Sequence, residues 1–112
     1  MKALSIKQPF ATLIMNGLKD REHRTWTTDF RGKFMIHSSK IPDIKFMEEY
    51  GFNKTALSNG VLLGVVELYD VEIYKNEIKA FLLRNPIEFK EPIQYIGQLG
   101  FFEVDKSILL KK

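Results

Sequence analysis

Between positions 17 and 24 the chain reads Gly17-Leu-Lys19-Asp-Arg-Glu22-His-Arg24, a turn glycine followed by an ammonium, a carboxylate and a guanidinium. If the run continues as a strand, Glu22 and Arg24 are two residues apart and share one face, with His23 pointing away. Such a trio can hold an anion, accept from a hydrogen-bond donor or move a proton, and none of these is needed by a packing surface. A second carboxylate stands at position 67. Strict alternation groups Glu67 with Val61, Leu63, Val65, Tyr69 and Val71 on an otherwise apolar face. A lone charge there is costly, so it must reach water, keep a proton or meet a cation. Lys19 and Arg24 are the cations expected.

The elements that must position these groups are short. Residues 4–6 read as a strand that stops at Gln8-Pro9, with proline at the first helical position. Phe10, Leu13, Ile14 and Gly17 then fall at helical spacing, and Asn16-Gly17 supplies the stop. Strands are expected over 22–26 and 33–39, separated by a turn at 29–32. A helix over 43–50, capped by Asp43 and ended by Gly51, precedes a polar loop at 53–60. The run 60–74 is the strongest strand signal, apolar on both faces in its first half, as in a barrel strand with a helix outside it. Residues 79–83 are too few to separate strand from helix by period. Asn85-Pro86 and Glu91-Pro92 read as breakers that isolate 87–90, and 99–104 closes the sheet.

The chain has 112 residues, 45% hydrophobic, with a formal net charge of +3. That is enough for one domain, 1–112, with a single core. The charge leans towards an anionic partner but its lysines are scattered. Without cysteine there is neither disulfide nor thiolate site. His23 and His37 stand far apart with no third ligand spaced near either, so no metal and no cofactor is expected. No apolar run approaches the roughly 18 residues that span a bilayer. A cytoplasmic protein without a membrane partner is the expectation.

Five blocks in order resemble the ASCH domains, relatives of the PUA fold. They are Leu4-Ser-Ile-Lys-Gln-Pro-Phe-Ala11, the charged run, Arg31-Gly-Lys-Phe-Met-Ile-His-Ser-Ser-Lys40, Gly64-Val-Val-Glu-Leu68 and Gln98-Leu-Gly-Phe-Phe-Glu-Val104. Gly17, Lys19, Glu22 and Arg24 match the family's G-x-K-x-x-E-x-R signature, while Phe10 stands where many members have tryptophan. The resemblance implies an α+β fold: a small, mostly antiparallel PUA-like β-barrel with two short helices and a cleft beside the first. It also implies that 79–83 is a strand and that the partner is RNA or a modified nucleoside.

In that reading Lys19, Glu22, Arg24, Glu67 and Tyr69 are the ligand-binding residues. The cations meet phosphate or a base edge, a glutamate accepts from an exocyclic amine, and Trp26 or Tyr69 stacks on a base. Core packing is the favoured role for Trp26. The alternative class is a small hydrolase in the same cleft, with Lys19 and Glu22 as its catalytic pair. Some small ASCH proteins resemble N4-acetylcytidine amidohydrolases that use a lysine and a threonine, but Glu22 occupies the threonine position here. Others are similar to ribonucleases that rest on a lysine and a tyrosine, for which Tyr69, Tyr74 and Tyr95 are available. A protein-interaction role for Phe46, Met47 and Tyr50 ranks last, because apolar residues at that spacing are usually core.

Overall fold

Alternating and doubly apolar runs become six strands of one sheet. The computed structural model describes residues 1–53 and 55–111, so Lys54, within the expected 53–60 loop, lies outside the described residues. In chain order the elements are β1 (Lys2–Ile6), α1 (Phe10–Met15), β2 (Arg21–Arg24), β3 (Gly32–Ser38), α2 (Ile44–Glu49), β4 (Val61–Ile73), β5 (Lys79–Gln94) and β6 (Phe101–Glu103). Two 3-10 segments, Lys75–Glu77 and Lys106–Lys111, complete them. The strand order is β2-β5-β4-β3-β1-β6; β1 runs parallel to β3 and the other pairs are antiparallel.

The sheet curls into a half-barrel, and aromatic rings draw its two ends together. Trp26, just past β2, meets Phe81 of β5 edge-on at 5.2 Å and Phe101 of β6 at 5.7 Å. Phe101 also contacts Phe30, Phe34 and Phe81, so one ring joins residues from both ends of the sheet. Ala11, Leu13, Ile14 and Met15 of α1 are buried, and Ala11, Ile14 and Met15 share the inner core with Leu4, Ile6, Phe34, Ile36, Val66 and Leu83. Fully buried Gln8 fixes the start of α1. Its Oε1 accepts from Thr12 N at 2.9 Å, satisfying one of the helix's orphan donors, and its Nε2 donates to Ser58 O. Pro9 is the N-cap rather than the first helical residue. Asp43 caps α2 as expected, accepting from Phe46 N, and Gly17 and Gly51 follow the two helices at φ +82° and +79°.

The proline-bearing run departs from expectation. Pro86 and Pro92 do not break it, because both lie in bulges of one continuous strand β5. Glu67 pairs with Arg84 but Val65 with Ile87, and Gly64 pairs with Glu88 but Leu62 with Ile93, so β5 carries extra residues at both prolines. The register shift between Leu62 and Gly64 also breaks the strict alternation of β4. Val61 and Leu63 share the inner cluster with Val66 and Leu68, while Leu62 and Val65 pack on the other face. Glu67 is therefore not on the inner face with Val61 and Leu63. The closing strand shrinks to three residues, and Leu99 is fully exposed.

On the second face, buried His37 joins β3 to the segment before β6. Its Nε2–H donates to Tyr95 O at 2.7 Å, since a carbonyl can only accept, which leaves Nδ1 to accept from the Ser5 hydroxyl at 2.9 Å. Burial holds its pKa below the ordinary 6.5, against the bond to Tyr95. The unfolded chain then gains a proton near pH 6.5 before the folded one does, so His37 contributes stability above that pH that is lost as the medium acidifies below it. Glu67 and Glu103, held low by Arg84 and Lys2 respectively, make their losses only in the carboxylate range.

Melting between about pH 7 and 5 should show declining stability in the parent protein and a flatter profile in His37→Gln; equal slopes would remove His37 from this role. At Gly64, strands β4 and β5 approach closely. A Cβ on Gly64 would overlap the Ile87 carbonyl oxygen, stand 2.5 Å from Met15 Cε and 2.9 Å from Glu88 Cα. Gly64→Ala should cost about 1–3 kcal/mol by denaturant unfolding, because two of these neighbours are backbone.

Candidate functional site

The turn between α1 and β2 is pinned at consecutive residues. Lys19 N donates to Leu13 O at 3.0 Å, and Asp20 O accepts from Leu83 N at 2.9 Å. From there β2 pairs with β5, Glu22 opposite Phe81 and Arg24 opposite Lys79. The pleat sends Glu22 and Arg24 to one side and Arg21 and His23 to the other, where Arg21 meets Glu72 at 2.7 Å and the Tyr74 hydroxyl at 2.5 Å. The Tyr74 hydroxyl and Glu72 together push the Arg21 guanidinium above its usual range.

Glu22 is the centre of the inward group. Its Oε1 stands 3.7 Å from the Lys19 ammonium and its Oε2 3.0 Å from Arg24 Nη2. The side chains of Lys19, Glu22 and Arg24 are 22%, 12% and 23% exposed, so all three are largely withdrawn from water. Arg24 Nη2 also donates to the Ser5 carbonyl at 2.9 Å, and Lys19 donates to the Arg21 carbonyl. Arg24 Nε is buried and has no hydrogen-bond partner among the described residues. Two cations and one carboxylate leave this cluster with one net positive charge.

The structure thus brings Lys19, Glu22 and Arg24 together and leaves Glu67 and Tyr69 apart from them. The cation that meets Glu67 is Arg84, not Lys19 or Arg24: Arg84 Nη2 lies 3.0 Å from Glu67 Oε2, and Asn85 donates to Oε1 at 3.3 Å. The bulge at Asn85, whose φ is +56°, turns both donors towards that carboxylate. Arg84 holds the Glu67 carboxyl below its ordinary range. Tyr69 lies beneath the same guanidinium, 4.6 Å from its carbon to the ring centroid. Arg84 is the functional candidate that periodicity missed; its only signal in the chain is its place at the Asn85-Pro86 irregularity.

Two hollows border these groups. A small cavity of about 120 Å³ is lined by Ile14, Gly17, Lys19, Asp20, Val66, Leu83, Arg84 and Pro86, so that both Lys19 and Arg84 reach it. A larger open depression of about 340 Å³ lies along His23, Arg24, Thr25, Trp26 and Ile78. The smaller one is the better candidate, since two cationic residues line it, Lys19 from the turn between α1 and β2 and Arg84 from β5, whereas Arg24 is the one arginine or lysine along the larger. Trp26 is packed into the barrel seam, as its favoured role required. Among the described residues no cluster of three or more histidine, aspartate or glutamate side chains is arranged to hold a metal, and no helix is long and apolar enough to cross a membrane.

Comparison with known proteins follows the same lines. The profile of the ASCH domain matches residues 4–93. Among solved structures, an ASCH protein from Zymomonas mobilis superposes with a TM-score of 0.66 at 13% identity, covering 98% of this chain and 91% of the other. A serine-to-alanine variant of that protein gives 0.65 at 13% identity, with 98% and 92% covered. A tyrosine-to-phenylalanine variant gives 0.66 at 14% identity, with 98% and 94% covered. No curated protein matches the chain.

The Glu22 pairings make a quantitative prediction. In a double-mutant cycle, Glu22→Gln and Arg24→Met should show a coupling energy of about 1–2 kcal/mol in denaturant unfolding, because each single change removes the 3.0 Å ion pair and leaves Glu22 only Lys19 or Arg24 only the Ser5 carbonyl. Additive effects would mean that the two groups stabilise the fold independently.

Proposed function

The chain belongs to the ASCH domain family, and from that premise we propose that it binds RNA, or a nucleotide-sized piece of it, in the cleft beside α1. The observation that carries this reading is the convergence of Lys19 and Arg84 on one small cavity. Two cations held by ion pairs, one from the turn after α1 and one from β5, form a seat for a phosphate, with Lys19 as a point charge and Arg84 as a planar fork. Asp20 lines the same cavity and sets a limit on how much negative charge it accepts. The family's likeness to PUA domains, which bind RNA, supports the same partner.

Glu22 and Arg24 act here by position. Glu22 orients Lys19, and Arg24 anchors Glu22 to β1 through Ser5. Hydrolysis in the same cleft has less support. The Glu22 carboxylate is committed to an ion-pair network, with Oε2 3.0 Å from Arg24 Nη2 and Oε1 3.7 Å from the Lys19 ammonium. The nearest threonines, Thr25 and Thr27, are exposed beyond the end of β2, at the wrong offset to act as a nucleophile.

Binding of a short fluorescein-labelled single-stranded RNA of mixed sequence, followed by anisotropy over a salt series, tests the reading. Lys19→Ala and Arg84→Ala should each weaken affinity about tenfold, and each should lower the salt slope by about one. Wild-type protein without salt-sensitive binding to single-stranded or structured RNA would overturn it.

A further inference from the structure

We infer that the aromatic surface made by Phe10, Phe46 and Tyr50 is a stacking platform for unpaired bases of the RNA whose phosphate Lys19 receives. Phe10 opens α1, Phe46 lies within α2 and Tyr50 is the C-cap of α2. Phe10 meets Phe46 edge-on at 5.0 Å and Tyr50 at 6.4 Å, while Phe46 and Tyr50 are stacked at 6.3 Å with 29° between their planes. Positions 46 and 50 are one helical turn apart and share a face. Met47 is the one residue of α2 that is buried, and it is completely so. The helix is therefore anchored by Met47, Phe10 and Phe46 are partly buried, and Tyr50, 55% exposed, is the ring of the three that faces outward.

The occupant follows from what borders the rings. The Lys19 ammonium stands 5.8 Å from the Phe10 centroid, so the cation that reaches the phosphate cavity also abuts the aromatic surface. A cation beside a ring cluster whose outer member, Tyr50, is exposed offers the pairing that holds single strands, with phosphate on the charge and base on the ring. Two other exposed tyrosines are engaged: Tyr69 lies under Arg84, and Tyr74 contacts His23 and accepts from Arg21. Trp26 meets Phe81 and Phe101 edge-on and packs against the inner core. α2 carries exposed Glu48 and Glu49 besides Lys45, so the attraction for phosphate comes from Lys19 and not from this helix. That separation of charge from ring makes the two contributions distinguishable.

This inference rests on the RNA reading, and its test keeps the two apart. The same anisotropy titration is run over a salt series with wild type, Lys19→Ala, Tyr50→Ala and Tyr50→Trp. Tyr50→Ala should weaken binding about tenfold with an unchanged salt slope. Tyr50→Trp should bind at least as well as wild type, since it keeps a ring of equal or greater stacking area. If Tyr50→Ala binds like wild type while Lys19→Ala is weakened, the platform is overturned and the phosphate seat stands. If wild type shows no salt-sensitive binding, both readings are overturned together.

Discussion

One carboxylate holds two parts of this molecule in relation. Glu22 lies between Lys19 and Arg24, and Arg24 continues across the opening of the half-barrel to the carbonyl of Ser5. That carbonyl lies just beyond the point where β1 stops pairing with β6, whose last pair on this side is Leu4 with Phe101. The guanidinium therefore supplies a hydrogen bond that the sheet itself does not provide, and it does so across the seam between the two ends of the strand order. Because the three side chains are largely withdrawn from water, each depends on the others to offset desolvation. The same contacts that close the curl fix the position of the Lys19 ammonium.

Apolar and polar contacts divide the work of closure. Around Phe101, rings from β3, β5 and the segments after β2 meet edge-on or stacked and exclude water from the seam. Beside them, Gln8 and His37 act as buried polar anchors: Gln8 ties the start of α1 to the loop at Ser58, and His37 ties β3 and Ser5 to Tyr95. Neither has a hydrophobic reason to be inside, and each is tolerated because its polar atoms are paired. With α1 held in this way, Lys19 projects from a turn whose backbone is hydrogen-bonded to both the helix and β5. The cation reaches the cavity from a turn already ordered by these bonds, so a group bound there would not have to order a loose loop.

The bulges of β4 and β5 decide the rest of the site. They let two prolines lie in a single strand, and they turn Arg84 and Asn85 towards Glu67. Glu67 thus acts through Arg84, as the group that orients the second cation of the cavity, and not as a direct partner of Lys19. Tyr69, under the same guanidinium, restricts it further. The charged residues singled out in the chain fall into two small networks that meet at one hollow, reached by Lys19 from one and Arg84 from the other.

Local spacing was sufficient for Glu22 and Arg24, which share a face because a four-residue strand without a bulge keeps its period of two. It was sufficient too for both helix ends, where Asp43, Gly17 and Gly51 carry their own conformational signals. It failed at Glu67, because a register shift earlier in β4 reverses the side chains that follow until a second shift between Leu68 and Asp70 returns Val71 to the inner cluster, and alternation in a sequence carries no mark of such shifts. It failed for the prolines of β5, since a proline tolerated in a bulge looks the same in sequence as one that ends a strand. What the chain alone determined is the set of charges and their local faces. Which cation meets which carboxylate, and that Ser5 receives Arg24, was decided only by the curl of the sheet, because ion pairs between distant segments depend on register and closure rather than on neighbours in the chain.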